Sequence, residues 1–198
     1  MSGTFFDTLH ALLASEGDHQ IRRAEIEKRF LRRSAILILD SSGFTRISRQ
    51  HGIVHYLECL VKARRVIGPV LDAHGSRDWR FEADNAFAQF EDARNAVDAA
   101  FDIHAAVRAE AIPLSDSEHF SVCIGVGYGD VLSAGHEGCF GNEVNLASKL
   151  GEDTAEPGEV LLTEAAYREA GATNQTRFSA RSVAVSGVDL AYYHCLAE

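Results

Sequence analysis

No two of the four cysteines (Cys59, Cys123, Cys139 and Cys195) stand in a C-x-x-C pair, and they are scattered along the chain. That spacing indicates neither a zinc site nor a disulfide frame, and it suits a reducing cytoplasm. No apolar run approaches the roughly eighteen residues that a membrane-spanning helix requires, so no membrane span is expected. A charged n-region followed by a long apolar segment is missing too, and with it a signal peptide. Positive charge is scarce: 19 Lys and Arg face 29 Asp and Glu, a formal net charge of -10. A nucleic-acid groove needs a basic field, so the balance argues against a nucleic-acid partner. There is no internal repeat and no low-complexity tract.

What is present is a chain of 198 residues, long enough for one domain with a real core and a short appendage. The rest of it is arranged around residues 34–84. Ala35-Ile36-Leu37-Ile38-Leu39 is a run of aliphatic residues that suits a buried strand, and Asp40 stands at its exit. Burying an unpaired carboxylate is costly, so Asp40 is either a helix N-cap or a ligand. Gly43 lets backbone approach closely, and Phe44-Thr45 opens a helix whose first amides are free for an anion. Asp84 closes the stretch within Arg80-Phe81-Glu82-Ala83-Asp84. A carboxylate for a cation beside a helix N-terminus for phosphates is the layout of a metal–nucleotide site.

Taken in order, residues 4–33 predict two helices, the first striped by Phe5, Phe6, Leu9, Leu12 and Leu13 and broken at Gly17-Asp18, the second basic. A strand over 34–40 follows, then helices over 45–50 and 51–74, the longer one carrying Ile53, Leu57, Leu60, Ile67 and Leu71 on its apolar face and a kink at Gly68-Pro69. His51 and His55 lie one turn apart, but with no carboxylate or cysteine beside them they read as surface histidines. A hairpin turning at Ala83-Asp84 puts Arg80, Glu82 and Asp84 on one face. Then come an Ala-rich helix over 92–110, a loop over 113–118, a buried strand over 120–126, and a turn at Gly127-Tyr128-Gly129-Asp130. A helix over 142–150, a strand over 159–163, a helix over 164–170 and a final hairpin turning at Gly187 complete the chain. This is an α+β pattern, with helices on one face of a largely antiparallel sheet.

The order Leu39-Asp40-x-x-Gly43-Phe44-Thr45, then Asp84, then Gly141-Asn142-Glu143-Val144-Asn145-Leu146-Ala147-Ser148-Lys149-Leu150 resembles the class III nucleotidyl cyclase catalytic domain, over residues 34–196. The resemblance implies a ferredoxin-like cyclase fold over 34–198, with 1–33 as an N-terminal helical extension that helps a homodimer form. It implies two divalent cations, Mg2+ or Mn2+, held by Asp40, Asp84 and the Ser41 carbonyl, and β- and γ-phosphates held by the amides of Gly43, Phe44 and Thr45. Asn145 would orient the ribose. Lys149 stands where the family has an arginine for the α-phosphate, and it keeps the charge without the planar fork. Arg80 and Gly138 occupy the two base-selecting positions, and neither is the residue that the adenylate or guanylate members carry there. Glu82, on the same strand face as Arg80, would supply the missing acceptor; the alternative is an Arg80–Glu82 ion pair. Ser186 stands where the family has a triphosphate-binding lysine, with Arg181 as a substitute.

The activity so implied is conversion of a ribonucleoside triphosphate, ATP first, to a 3′,5′-cyclic nucleotide and pyrophosphate. Two alternatives stay open. One is a cyclase of the same superfamily acting on GTP or on a pyrimidine nucleotide, because the residues do not fix the base. The other is a non-catalytic, nucleotide-binding regulatory domain, which would have no need of both aspartates.

Overall fold

Five successive apolar residues in a strand are all buried only where both faces of the sheet are covered, and residues 35–39 are buried throughout. In the computed structural model, which describes residues 4–14, 18–171, 178–185 and 188–196, Ala35, Leu37 and Leu39 enter one core cluster and Ile36 and Ile38 another. The strand that carries them, β1 (Leu31–Ser41), follows two helices, α1 (Phe5–Ala14) and α2 (His19–Phe30). It starts three residues earlier than expected. Leu31, Arg32 and Arg33, read from sequence as the end of a basic helix, extend the pairing with the strand that ends at Ser133.

After β1 come α3 (Phe44–His51) and α4 (Ile53–Ala73), joined at Gly52. The hairpin β2 (Asp78–Glu82) and β3 (Asn85–Phe90) turns at Ala83-Asp84, as expected. α5 (Ala93–Glu110) opens at Asp92, whose carboxylate accepts from the Arg94 amide at 2.7 Å. Where a loop was expected over 113–118, a small separate hairpin forms, β4 (Pro113–Ser115) and β5 (Glu118–His119). β6 (Val122–Ser133) is followed by the short strand β7 (Cys139–Phe140), α6 (Asn142–Ser148) and a π-helical turn, Lys149–Thr154. The chain closes with β8 (Glu159–Thr163), α7 (Glu164–Glu169), β9 (Ser179–Val185) and β10 (Val188–Leu196). The breaks expected at Gly17 and Gly187 lie outside the described residues.

The main sheet runs β2-β3-β1-β6-β8-β10-β9, with β7 pairing to β6. Among the described residues its pairs are antiparallel except β6 with β8. The turn expected at Gly127–Asp130 is instead the middle of β6, a single 12-residue strand. Its glycines make room for backbone. A methyl carbon on Gly127 would lie 2.5 Å from the Glu143 carbonyl oxygen, and one on Gly129 2.7 Å from the Glu143 side chain. Gly125 in turn meets the backbone of Ala147 and Gly151. α6 therefore packs against β6 main chain to main chain, on the face opposite to the larger core. That overturns the expectation of helices on one face only: α4, α5 and α7 contribute to one cluster, and α6 covers part of the other face.

The apolar stripe of α4 is also phased differently from the sequence reading. Leu60, Ile67 and Leu71 are buried, but Ile53 and Leu57 are exposed, and Tyr56, Cys59 and Ala63 take the inner positions. Gly68 is where the helix meets Trp79, whose ring would stand 3.0 Å from a methyl carbon there. At the N-terminus, Phe5 packs edge-on to Phe30 at 4.8 Å and stacks on Phe140 at 5.9 Å, tying α1 to the segment that leads into α6.

Candidate functional site

The register of β1 with β3 pairs Leu39 with Ala86, so Asp40 and the Ala83-Asp84 turn lie at one end of the sheet. Burial first, then the charges of Asp84 and Glu152, push the Asp40 carboxyl up to about 6, against the Ser41 amide that favours its ionised form. Ser41 is buried between the two aspartates and α4. Its Oγ lies 2.5 Å from the Tyr56 hydroxyl and donates to Asp84 Oδ2 at 3.5 Å. Burial pushes the Tyr56 phenol up to about 12, and its hydroxyl and that of Ser41 share one hydrogen bond beside Asp84.

Among the described residues, no three or more His, Cys, Asp or Glu groups converge to hold a metal ion. The donor set at Asp40 and Asp84 nevertheless fits divalent cations of the oxygen-preferring kind. Two carboxylates that repel one another at a sheet end lose that repulsion when a cation sits between them, and Mg2+ characteristically takes one or two carboxylates and completes its shell with substrate phosphates and water. Beside them Gly43 adopts a left-handed φ of +86° and opens α3 with no side-chain cap. The Phe44, Thr45 and Arg46 amides thus begin an eight-residue helix without intrahelical acceptors. Phe44 packs edge-on to Tyr56 at 5.0 Å, and Arg46 pairs with Glu118 across Gly43.

A second group gathers on β2 and the segment before α6. Arg80 pairs with Glu82, the alternative kept open on the sequence, and its guanidinium lies over the Phe87 ring at 4.9 Å. A methyl carbon on Gly138 would stand 3.7 Å from Arg80 Nη2, so the two expected base-selecting positions are neighbours. A small cavity of about 60 Å³ opens beside them, lined by Asp78, Cys139 and Val144 among others.

A third group sits on α6 and the π-helical turn that follows it. Asn145 and Lys149 are exposed, and Lys149 pairs with Asp153 one turn on. Glu143 holds the helix in place: its Oε2 accepts from the Tyr128 amide at 3.2 Å and from Thr163 Oγ1 at 2.7 Å. The charges that act on Asp40 come from Asp84, Glu152 and Asp153, not from Lys149. Arg181 is apart from all three groups. It lies on β9, four strands from β1, a lateral distance of about 19 Å at the usual strand spacing. Ser186 lies outside the described residues.

Sequence reasoning missed Tyr56, Glu143, Glu152 and Asp153. The i,i+4 spacing of Lys149 and Asp153 was a legible signal for their pairing; nothing local marks Tyr56, which α4 delivers from 15 residues beyond Ser41.

The family model described as the adenylate and guanylate cyclase catalytic domain matches residues 81–196. A putative adenylate cyclase 3 of Rhizobium meliloti (strain 1021) is 26% identical over 133 residues, covering 67% of this chain but 22% of that protein, so the chain spans about a fifth of that relative's length. Among solved structures, the guanylyl cyclase Cya2 superposes with a TM-score of 0.72 at 20% identity, over 83% of this chain and 92% of that one. The guanylate cyclase domain of RhGC from Catenaria anguillulae, solved in complex with GTP, does so with a TM-score of 0.70 at 18% identity, over 84% and 97%.

Proposed function

Because the chain belongs to the adenylate and guanylate cyclase catalytic domain family, the class III nucleotidyl cyclases, we propose that it cyclises a ribonucleoside triphosphate, ATP first, at a site shared between two copies of itself. The observation that carries this reading is the pairing of Asp40 and Asp84 around Ser41, two carboxylates held close against their mutual repulsion. Such a pair is costly unless a cation uses it.

In the proposed reaction the ribose 3′-hydroxyl gives its proton to water as its oxygen attacks the α-phosphorus, the bond from that phosphorus to the oxygen bridging to the β-phosphate breaks, and pyrophosphate leaves with that electron pair. Asp40, Asp84 and the Ser41 carbonyl would hold two divalent cations, Mg2+ or Mn2+, which stabilise the attacking and leaving oxygens. The first amides of α3 receive the β- and γ-phosphates. Asn145 orients the ribose, and Lys149 offers a point charge to the α-phosphate after giving up Asp153. Arg80 and Glu82 together present donors and an acceptor to the base edge. GTP and pyrimidine triphosphates remain competing substrates at such an edge. Dimerisation rests on the family resemblance, and the exposure of Asn145 and Lys149 leaves both free to serve a triphosphate held by a second copy. The cysteines, all free among the described residues, support a reducing compartment, and no helix among the described residues is long and apolar enough to cross a membrane.

A second reading, a domain that binds nucleotide without turning it over, draws on the two internal ion pairs, Arg80–Glu82 and Lys149–Asp153, which occupy the cationic groups in the absence of substrate. Incubation with each of the four ribonucleoside triphosphates and Mn2+, with products identified by mass, separates the two. A cyclic nucleotide from any of them supports the enzyme. Bound, unchanged nucleotide with no product sinks it.

A further inference from the structure

At the end of β1 remote from Asp40, a cavity of about 340 Å³ opens between α2, β2 and the end of β6. Its volume falls within the range of small-molecule sites. Three arginines line it, Arg29, Arg32 and Arg77, in a chain whose net charge is -10. Arg32 is positioned by main chain: its Nη1 and Nη2 donate to the carbonyls of Leu31 and Arg29 at 2.7 and 2.8 Å, which leaves its charge unneutralised. Among the described residues, neither Arg29 nor Arg32 has a carboxylate within ion-pair distance. The opposing charges are Asp78, which also lines the cavity, and Glu91, which pairs with Arg77. The floor is polar and already satisfied, since Gln89 Oε1 accepts from Ser133 Oγ at 2.9 Å and Gln89 Nε2 donates to Ser34 Oγ at 2.9 Å.

We propose that this cavity binds the phosphate groups of a small phosphorylated metabolite, at a site separate from the cyclising centre. Planar guanidinium forks match phosphate oxygens, and with Arg77 paired to Glu91, Arg29 and Arg32 still exceed the single carboxylate, Asp78, that shares the opening. Distance keeps the cavity apart from the carboxylates, although it adjoins the smaller cavity beside Arg80. Arg32 and Asp40 are eight residues apart along one strand, about 26 Å at the usual rise. A ligand here would lie between the N-terminal helices and the hairpin that carries Arg80. Asp78 and Gln89 line this cavity and the smaller one beside Arg80 alike.

The test is calorimetric titration of the whole chain with inorganic pyrophosphate in EDTA, where no divalent cation supports binding at Asp40 and Asp84. One site per chain is expected in the wild type and in an Arg80→Ala/Lys149→Ala variant. Arg29→Ala/Arg32→Ala should weaken binding at least about tenfold, because it removes two charge-assisted donors to the phosphate oxygens, while Arg29→Lys/Arg32→Lys retains most of it. Arg77→Ala, at an exposed position, gives an independent and smaller loss should the double variant fold poorly. No binding up to millimolar pyrophosphate overturns the inference. So does binding that survives the Arg29/Arg32 change and disappears with Arg80 and Lys149, which would place the anion in the catalytic half.

Discussion

Asp40 illustrates a residue whose value to the proposed reaction runs against its value to the fold. At neutral pH it is ionised although burial, Asp84 and Glu152 all disfavour that state, so in metal-free protein it works against folding. Asp40→Asn should abolish turnover and yet raise the melting temperature in EDTA by a few degrees, on the order of 1 kcal/mol once solvent screening of a half-buried group is allowed for. Asp84→Asn should be equally inactive. Parallel activity and melting measurements check both statements, and near-normal turnover in either variant would discard the two-cation assignment. Arg80 and Glu82, by contrast, should govern which base is accepted. Their joint replacement by alanine also breaks the ion pair between them. It is expected to flatten selectivity among the four triphosphates in a competition assay, and an unchanged preference would move base reading to the backbone around Gly138.

At the level of the element, α5 contains a buried imidazole that the reaction does not use. His104 is 5% exposed, and its Nε2 faces the Glu159 carbonyl at 3.3 Å. Burial depresses it to about 4, with the Glu159 carbonyl opposing and Arg108 adding to the depression. The sign follows from linkage. Above pH 6.5 the ring is neutral in both states and the contribution is intact; as pH falls from 6.5 towards 4, the unfolded chain takes up a proton that the folded one refuses. Up to about 3 kcal/mol of stability should be lost across that window. Asp40 acts in the opposite sense over part of it, so the comparison is between wild type and His104→Gln. Denaturant titrations at pH 7 and pH 4.5 should show the variant losing less, and equal losses would remove His104 from the account. Elements whose signals are local were readable in the sequence: the apolar run of β1, the Ala-rich α5, and the succession of β8 and α7. Gly127 and Gly129 misled, because a glycine pair marks a turn unless something distant needs the space. What needs it is Glu143 of α6, its carbonyl at Gly127 and its side chain at Gly129, and no pattern within β6 discloses that. The same applies to the site: Asp40, Asp84 and Asn145 could be named from motif order, but the Tyr56–Ser41–Asp84 chain required knowing how α4 lies on the sheet.

For the whole molecule the question is whether one chain suffices. If Asp40 and Asp84 serve one triphosphate together with Asn145 and Lys149 of a second copy, symmetry gives two equivalent sites per dimer. Asp40→Ala chains and Asn145→Ala chains, each inactive alone, should then rescue one another when mixed. Random pairing makes half the dimers mixed, each with one intact site of two, so about a quarter of wild-type activity is expected. Inactive mixtures in which crosslinking shows subunit exchange would exclude the shared site. The sheet itself has a consequence that concerns time. β1 is flanked on both sides by long antiparallel partners, and the Gln89 amide fastens β3 to β1 and β6 at once. β9 and β10 reach the sheet through β8 alone. The molecule should therefore come apart in order, with amide protons of β9 and β10 exchanging through openings that leave the β3-β1-β6 centre closed. The sheet end that carries Asp40 would outlast the edge that carries Arg181.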